Sequence, residues 1–471
     1  MVDSRLVNNN VLEPLMLRNR ANTYDGDQNQ IVTEGKTNNI IVRRVKKFDL
    51  ENYVFDSLLP QNNVKRISTF EQAFTGVNMG NCLLFVDTIP VAFDIDVKGF
   101  KQREVSTPNN EIIIKGPQEA FVENLRTNTS LLRRIVNSEN LVIENISVGK
   151  ISKTKCCVCY MQNIANPDLV AEVKYRMNNL EIDALLSSGE LEQLIEENHN
   201  YSIPQILSSE RPDKATKYLY GGRVVVLING NPYCLVMPAT FIDFIASPED
   251  TNLKFQFANF IKFLRLLAIF ITLLLPGIYV AVTNFHQELL PTELLFSILS
   301  SRENVPFPII FEILVMEISF ELIREAGLRV PTPISPTIGI VGALVLGQAA
   351  VSAGIVSPIL VIIVAFTAIA SFAIPDFSFG FHLRISRFIF LLLAYISGFL
   401  GIGLGLYLYA CMLFSLKSFG VPFMAPYGPI TNFNNNKYFV APTWRREKRA
   451  DFLNTKKEKS QSHISMKWKF K

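Results

Sequence analysis

The 471-residue sequence has little charge, no spaced cysteine framework and none of the common catalytic motifs. Charged residues make up 19% of the chain, whereas about a quarter of a soluble chain is usually charged. The motifs of nucleophilic hydrolases, P-loop nucleotide-binding proteins and zinc peptidases are missing. The sequence therefore predicts neither an enzyme nor a cofactor, and its net charge of +4 gives no reason to expect nucleic-acid binding.

The six cysteines bear on location and on metal binding. They form no disulfide framework, and no apolar signal sequence opens the chain, so we expect the first half to stay in the cytoplasm with reduced thiols. Cys156, Cys157 and Cys159 are clustered, but a zinc site needs four ligands and only His199 is near them in the sequence. On a strand, Cys157 and Cys159 would face one side and Cys156 the other. We interpret them as small buried hydrophobic residues and predict no metal site.

The first 250 residues have the pattern of soluble α/β protein. Residues 1–44 are polar and rich in asparagine, which predicts a flexible arm. Residues 45–137 are expected to form a first subdomain of three strands and a closing helix, at Cys82–Asp87, Val91–Val97, Glu111–Lys115 and Glu119–Val136.

A second subdomain is expected over residues 138–250. It is predicted to contain a strand, two helices and a hairpin, at Lys155–Met161, Pro167–Val173, Glu190–Glu197 and Arg223–Met237. The hairpin is indicated by Asn229 and Gly230, which tolerate the positive φ of a tight turn. The fold class is therefore an α/β or α+β soluble N-terminal region of two subdomains.

Long apolar runs fill residues 251–418 and predict an α-helical, polytopic membrane domain. A helix rises 1.5 Å per residue, so about 20 apolar residues cross a hydrocarbon core of ~30 Å. Four runs qualify as spans: Leu266–Thr283, Pro336–Val356, Ile359–Ile374 and Phe388–Phe414. The middle two are expected to form a tight hairpin at Pro358. Gly401, Gly403 and Gly405 lie inside the last run, where small residues serve close helix packing rather than dinucleotide binding.

An acidic segment separates the first span from this hairpin. Residues 284–329 contain seven glutamates and three arginines but no lysine or aspartate, and we expect two amphipathic helices on either side of Pro306 and Pro308. In the second helix, Glu317, Glu321 and Glu325 fall on one stripe. The stripe is either a solvated or ion-paired face, with Glu321 against Arg324, or the acidic lining of an ion path.

Small residues recur along the second apolar run, Pro336–Val356. They allow helix backbones to approach closely in lipid, so one face of this helix is expected to pack against a neighbour. The candidate pore or helix-packing residues are Gly342, Leu344, Val345, Gly347, Gln348, Ala350 and Gly354. A plain packing role is the alternative, and the Ile359–Ile374 helix is an equally apolar candidate for the pore.

Residues 419–471 form a basic tail. From residue 437 onwards it holds eleven lysines or arginines against three acids, which predicts a cytoplasmic position. Both ends of the chain would then lie on one side of the membrane, and four full spans follow. Arg384 and Arg387 would face outward in this topology, against the same charge rule.

Several segments together resemble the GerA-type spore germination proteins. In the membrane half these segments are Pro276–Ala281 (PGIYVA), Phe285–Glu288 (FHQE), Pro291–Leu295 (PTELL), Val305–Pro308 (VPFP), Met316–Gly327 (MEISFELIREAG) and Gly347–Gly354 (GQAAVSAG). In the soluble half they are Lys115–Arg134, Ile164–Pro167 (IANP), Pro204–Leu207 (PQIL), Glu210–Asp213 (ERPD) and Ser247–Asp250 (SPED). The likeness runs from about residue 50 to Pro429.

The resemblance implies the A subunit of a nutrient-responsive germinant receptor in the spore inner membrane. Such subunits are thought to form an oligomeric, pentameric cation channel and to act with a transporter-like B subunit and a lipoprotein C subunit. A non-conducting scaffold and a solute transporter are the alternatives, although no second copy of the 266–414 pattern exists, as a transporter's internal repeat would require. In the soluble half, Arg126, Arg133 and Arg134 are candidate contacts between subunits or simply solvated positions.

Overall fold

The computed structural model describes residues 105–329, 347–431 and 441–461, with short segments at 32–33, 42–43, 64–69, 72–73, 82–86 and 91–95. The expected fold class is confirmed: a mixed α/β region is followed by a helical C-terminal part. The chain divides into two compact units, residues 1–102 and 103–471. The predicted flexible arm lies almost wholly outside the described residues.

The first unit contains two small antiparallel sheets. One pairs β1 (Val32–Thr33) with β2 (Val42–Arg43), and the other has the order β3 (Val64–Ile67), β5 (Ala92–Ile95), β4 (Cys82–Phe85). Phe93 is fully buried in the second sheet. The strands predicted from Cys82 and from Val91 are confirmed.

The second unit is built on a five-stranded antiparallel sheet. Its strands, in spatial order, are β6 (Leu141–Val148), β7 (Thr154–Met161), β9 (Val224–Ile228), β10 (Cys234–Met237) and β8 (Leu207–Ser209). The predicted strand at Lys155 and the predicted hairpin are confirmed, with Gly230 at φ +86° in the turn. Every residue of β9 is buried because helices cover both faces of the sheet.

The helices around this sheet pack on its two opposite faces. Helices α1 (Leu125–Ile135) and α4 (Pro212–Tyr220) pack on the face that holds Cys157 and Cys159, whereas α2 (Pro167–Asn178) and α3 (Ser188–Ile195) pack on the face that holds Cys156. The predicted alternation of the three cysteines is therefore confirmed. Burial raises the pKa of the Cys156 thiol to about 12, so it packs as a neutral hydrophobic group.

Two expectations for residues 105–136 differ from the structure. Glu111–Lys115 is not a strand, since side chains rather than a neighbouring strand satisfy its backbone: Ile114 N–H donates to Glu249 Oε1 (2.9 Å) and Lys115 C=O accepts from Asn252 Nδ2 (2.8 Å). Helix α1 begins at Leu125, six residues later than expected, because Asn124 caps it. It packs on α4, β7 and β9, so it belongs with the second sheet rather than with the strands at 82–97.

Among the described residues, five longer helices form the C-terminal part of this unit. They are α7 (Phe255–Phe285), α8 (Thr292–Arg302), α9 (Ile309–Arg329), α10 (Pro358–Phe372) and α11 (Phe377–Ser415), and they follow the short α5 (Phe241–Ile245) and α6 (Glu249–Asn252). Within the described part of the chain, α7 and α11 are long and apolar enough to cross a membrane. The predicted first span lies within α7, and the two predicted amphipathic helices correspond to α8 and α9.

Helix α11 is not one straight span, which corrects the expectation for Phe388–Phe414. Gly398 adopts φ +61° and ψ −137°, and the chain folds back there. In a straight helix His382 and Tyr409 would lie about 40 Å apart, yet His382 Nε2 is 2.8 Å from the Tyr409 hydroxyl. Residues 377–397 and 399–415 are therefore two antiparallel arms, which we call the α11 hairpin.

Glycines allow the two arms of the α11 hairpin to touch. A Cβ on Gly401 would collide with the Leu393 carbonyl oxygen, and one on Gly405 would lie 2.8 Å from Leu393 Cδ1. A Cβ on Gly403 would meet no atom within 4 Å. The predicted packing role of this glycine motif is thus confirmed at two of its three positions.

Both arms of the α11 hairpin start or end at the sheet. Phe379, in the first turn, stacks on Phe244 with ring centroids 5.8 Å apart. After the second arm, Ser418 Oγ donates to Gln205 O (2.6 Å) and accepts from Ala239 N–H (3.1 Å). The tip at Gly398 lies instead against Phe285, the last residue of α7. We call the two ends of the helices the sheet end and the tip end.

Candidate functional site: a buried ion-pair cluster between helices

Two glutamates of α9 meet arginines of α11 in a buried cluster. Arg387 Nη2 lies 2.6 Å from Glu317 Oε2 and 3.3 Å from Glu321 Oε1, and Arg384 Nη1 lies 3.1 Å from Glu321 Oε2. The side chains of Glu317 and Arg387 are only 2% and 3% exposed. Such charges are costly away from water, so each depends on its partners.

Arg324 extends this cluster to helix α10. It lies 3.5 Å from Glu321 and donates to Ser371 Oγ at 2.8 Å, while its guanidinium lies over the ring of Phe372. Glu317 Oε1, Arg324 Nε and Arg387 Nε have no hydrogen-bond partner within the described chain. The cluster therefore ties α9, α10 and α11 together while leaving some of its hydrogen-bonding capacity unused.

The predicted acidic stripe is divided by the structure. Glu317 and Glu321 lie in the cluster, and the predicted contact of Glu321 with Arg324 is present. Glu325 instead forms an exposed pair with Arg329, at 2.6 Å. In this structure the stripe is a paired face, with arginines on all three carboxylates.

Arg384 and Arg387 do not lie where the sequence placed them. They follow His382, whose Nδ1 is 2.7 Å from Ser202 Oγ of the sheet region, so they lie near the sheet end. The expectation that they face outward at the opposite end is wrong. Spacing along the sequence could not reveal their role, because their partners in α9 are more than 60 residues away in the chain.

A second buried pair lies towards the tip end and was not foreseen. Arg302 of α8 contacts Glu312 of α9 at 3.1 Å, and the Glu312 side chain has no exposed surface. Its other oxygen accepts from Ser357 N–H (3.1 Å) at the start of α10. Arg302 also lines a cavity of about 200 Å³ with Thr283, Asn284, Gln287, Leu295, Ile298 and Leu299. Glu312 stands among apolar residues, but Arg302 lies in the polar stretch Ser300–Asn304 (SSREN), so no local pattern pairs the two charges.

The small-residue helix is described only from residue 347, so Gly342, Leu344 and Val345 lie outside the described residues. A Cβ on Gly347 would lie 3.5 Å from Val361 of α10, and Ala350 is partly buried, whereas Gln348 is exposed. Gly354 has φ +66° and ends this helix before Pro358 opens α10. These contacts fit a packing role, and the pore role stays a prediction.

The sheet and the helices meet in a polar and aromatic junction. Arg265 of α7 is buried against Asp250 (2.8 Å), and Arg223, the residue before β9, lies 2.7 Å from Asp243. The rings of Phe241 and Phe244 each pack on those of Phe379 and Phe423, with centroids 5.7–6.5 Å apart. The helices are therefore firmly joined to the sheet, and movement of one can be transmitted to the other.

The three candidate contact arginines lie on the outer side of α1. Arg126, Arg133 and Arg134 are all exposed, and Arg134 pairs with Glu119. The residues of α1 that face the sheet are apolar, for example Leu131 and Leu132. Arg126 and Arg133 are exposed to solvent and accessible to another molecule, and their contact with a neighbouring subunit stays a prediction.

The chain is similar to a known protein family and to individual members of it. The family model of the Bacillus/Clostridium GerA spore germination protein matches residues 1–452. Spore germination protein KA of Bacillus subtilis (strain 168) is 41% identical over 399 residues, which is 84% of this chain and 73% of that protein. Spore germination protein A1 of the same organism is 38% identical over 402 residues, 85% of this chain and 83% of that protein.

One solved structure is also similar in sequence. The crystal structure of the N-terminal domain of the A subunit of the Bacillus megaterium spore germinant receptor GerK3 is 38% identical, covers 26% of this chain and 97% of that chain, and has a TM-score of 0.22. The family model covers nearly the whole sequence, and the curated relatives align over more than four fifths of it. The chain therefore belongs to the GerA spore germination protein family.

Proposed function

We propose that this chain is the A subunit of a nutrient-responsive spore germinant receptor and forms an oligomeric, pentameric cation channel in the spore inner membrane. The observation that carries this proposal is the family match over residues 1–452 together with charged residues held between apolar helices. Opening of the channel would release cations and trigger germination. A transporter-like B subunit would sense the nutrient, and a lipoprotein C subunit would complete the receptor.

Two contacts support the orientation that we propose. The tail at 441–461 binds the sheet region, since Lys456 N–H donates to Ile164 O (2.9 Å) and Arg449 Nε–H donates to Tyr220 O (2.7 Å). In this proposal the tail and the sheet region share one side of the membrane, and the positive charge of the tail favours the cytoplasmic side, here the spore core. The sheet region would act as a platform for assembly and coupling.

If the acidic stripe conducts cations, its carboxylates must first separate from the arginines that pair with them. With Arg384 and Arg387 on Glu317 and Glu321, the carboxylates attract few cations. We propose that this is the closed state and that separation of α9 from the α11 hairpin frees the carboxylates, which a ring of subunits would multiply. Replacing Glu317 and Glu321 with glutamine should then lower cation preference, read from reversal potentials across a bilayer.

A non-conducting scaffold is the second candidate, and the same pairing favours it. In that case the cluster only holds three helices together. Purified chain in sealed vesicles, with and without a B subunit, distinguishes the two: the channel proposal expects cation flux that the nutrient increases when the B subunit is present. Absence of flux from complexes of normal size and stability would support the scaffold and overturn the channel.

A further inference from the structure

The described tail lies at the start of the first apolar helix. The Trp444 ring meets the Phe255 ring edge-on, with centroids 6.3 Å apart, and Phe255 is the first residue of α7. Phe257, Phe260 and Phe263 follow, each more than half exposed on the outer side of α7. Large exposed aromatic side chains at such positions are expected to contact lipid, so Trp444 lies at the depth where water meets the bilayer.

This part of the tail is held in place rather than free. A β-bridge joins Lys448 to Lys459, and Arg449 Nε and Lys456 N–H donate to the sheet region as described above. Its position relative to α7 is therefore fixed. Tryptophan near the membrane boundary is enriched where one side of the ring is apolar and the other is wet.

The exposed surface of this segment is basic. Residues 441–461 contain seven lysines or arginines and three acids, a net charge of +4. Lys448, Lys457 and Lys459 are exposed and have no ion-pair partner within the described residues, whereas Lys456 Nζ donates to Gln162 O (3.0 Å). Clusters of basic residues immediately next to a membrane helix attract anionic headgroups within about a Debye length, ~10 Å at 0.1 M salt.

We propose that residues 441–461 form a binding surface for the anionic headgroups of the bilayer that holds α7, with Trp444 at the water–lipid boundary and the lysines on the phosphates. The surface clamps the sheet region to the membrane at one point beside α7. The proposal rests on α7 lying in a bilayer and does not depend on whether the protein conducts ions.

The two tryptophans of the chain, Trp444 and Trp468, allow a direct test. The full chain carrying Trp468→Phe has one tryptophan and is reconstituted in phosphatidylcholine vesicles containing brominated lipid at one fixed fraction. The brominated lipid is either phosphatidylcholine or phosphatidylglycerol. We expect both to quench Trp444, and brominated phosphatidylglycerol to quench about twice as strongly, because the lysines enrich it locally.

Lysine variants separate charge from position. In the triple variant Lys448→Gln, Lys457→Gln, Lys459→Gln, quenching by the two brominated lipids should become equal. The control is the double variant Lys150→Gln, Lys153→Gln, in a turn of the sheet region, which should keep the two-fold difference. Equal quenching in the starting protein would overturn the headgroup proposal. No quenching by either lipid would overturn the position of Trp444, and protection from aqueous acrylamide in that case would assign the surface to a protein partner instead.

Discussion

The buried charges between α9 and the α11 hairpin illustrate how a single residue acts in this protein. Arg387 compensates Glu317, and both side chains are almost fully buried. Arg387→Gln should destabilise the chain by about 3–5 kcal/mol, because it leaves a buried carboxylate without a partner. Glu317→Gln combined with Arg387→Gln should recover most of that loss, as measured by thermal unfolding of the purified chain in detergent.

The exposed pair of Arg329 and Glu325 in α9 provides a control for the buried pair. Arg329→Gln removes an arginine from Glu325, but both side chains are more than half exposed, so little change in stability is expected. Equal melting temperatures for Arg387→Gln and Arg329→Gln would contradict the assignment of the cluster as the bond between helices.

Glu192 in α3 should make stability depend on pH. Burial, followed by the negative charges of Glu196 and Asp376, raises the pKa of its carboxyl to about 8. The folded protein therefore keeps a proton that the unfolded chain releases above its ordinary pKa near 4.5. Unfolding then releases a proton, so this contribution to stability is lost as the pH rises from about 5 to 8.

Replacing Glu192 with glutamine tests this pH dependence of stability. Glu192→Gln should melt progressively higher than the starting protein as the pH is raised from 5 to 8, and the two should converge below pH 5. Glu181→Gln changes a side chain that is 82% exposed and should follow the starting protein throughout. Parallel melting curves for Glu192→Gln and the starting protein would show that the carboxyl is ionised in the fold.

At the scale of elements, the α11 hairpin depends on the size of a few residues. Gly401→Ala should cost about 1–3 kcal/mol by overpacking, because its Cβ would collide with the Leu393 carbonyl of the other arm. Gly403→Ala has open space and should be neutral or stabilising by up to about 1 kcal/mol, since alanine favours helix. Melting temperatures of the two variants give the comparison, and a Gly401→Ala protein as stable as Gly403→Ala would argue against the close contact of the arms.

The elements also show how far sequence reasoning reaches. Strand alternation at Cys156–Cys159 and the turn at Asn229 and Gly230 are local signals, and both gave the right elements. Hydropathy over Phe388–Phe414 is equally local, but it measures only apolar content and cannot distinguish one span from two arms that fold back. The reversal depends on the φ of one glycine and on contacts between residues far apart in the chain.

The same limit applied to the candidate site. The i, i+4 spacing placed Glu317 and Glu321 on one face of α9, which the structure bears out in their common contact with Arg387. Arg324 lies on the same helix and was predicted as a partner of Glu321. The partners Arg384 and Arg387 come from α11, which begins about 60 residues later, so only the packing of α9 on α11 could identify them. Glu325 has the same spacing but lies beyond the packed part of the helix and is exposed.

At the scale of the whole molecule, the exposed arginines of α1 bear on assembly into oligomers. If Arg126 and Arg133 contact neighbouring subunits, changing both to glutamate should shift most of the purified protein to smaller species, because a repulsive contact is repeated at every interface of a ring. Light scattering after size-exclusion chromatography gives the mass. The same double charge reversal at Lys150 and Lys153 is the control, and an unchanged mass for the α1 variant would leave its arginines as solvated positions.

The return of residues 416–423 to the sheet has a consequence for synthesis of the protein. Phe423 is fully buried against Phe244, and the Phe419 ring lies 4.3 Å from the Arg176 guanidinium carbon. A ribosome makes Arg176 and Phe244 long before Phe419 and Phe423, and every helix from α7 to α11 is made in between. Since chains generally fold as they emerge, the sheet region must wait, with part of its core open, until all of these helices have been made. The region that is translated early is thus among the last to be completed, and a failure of the helices to fold would leave its core exposed to proteases.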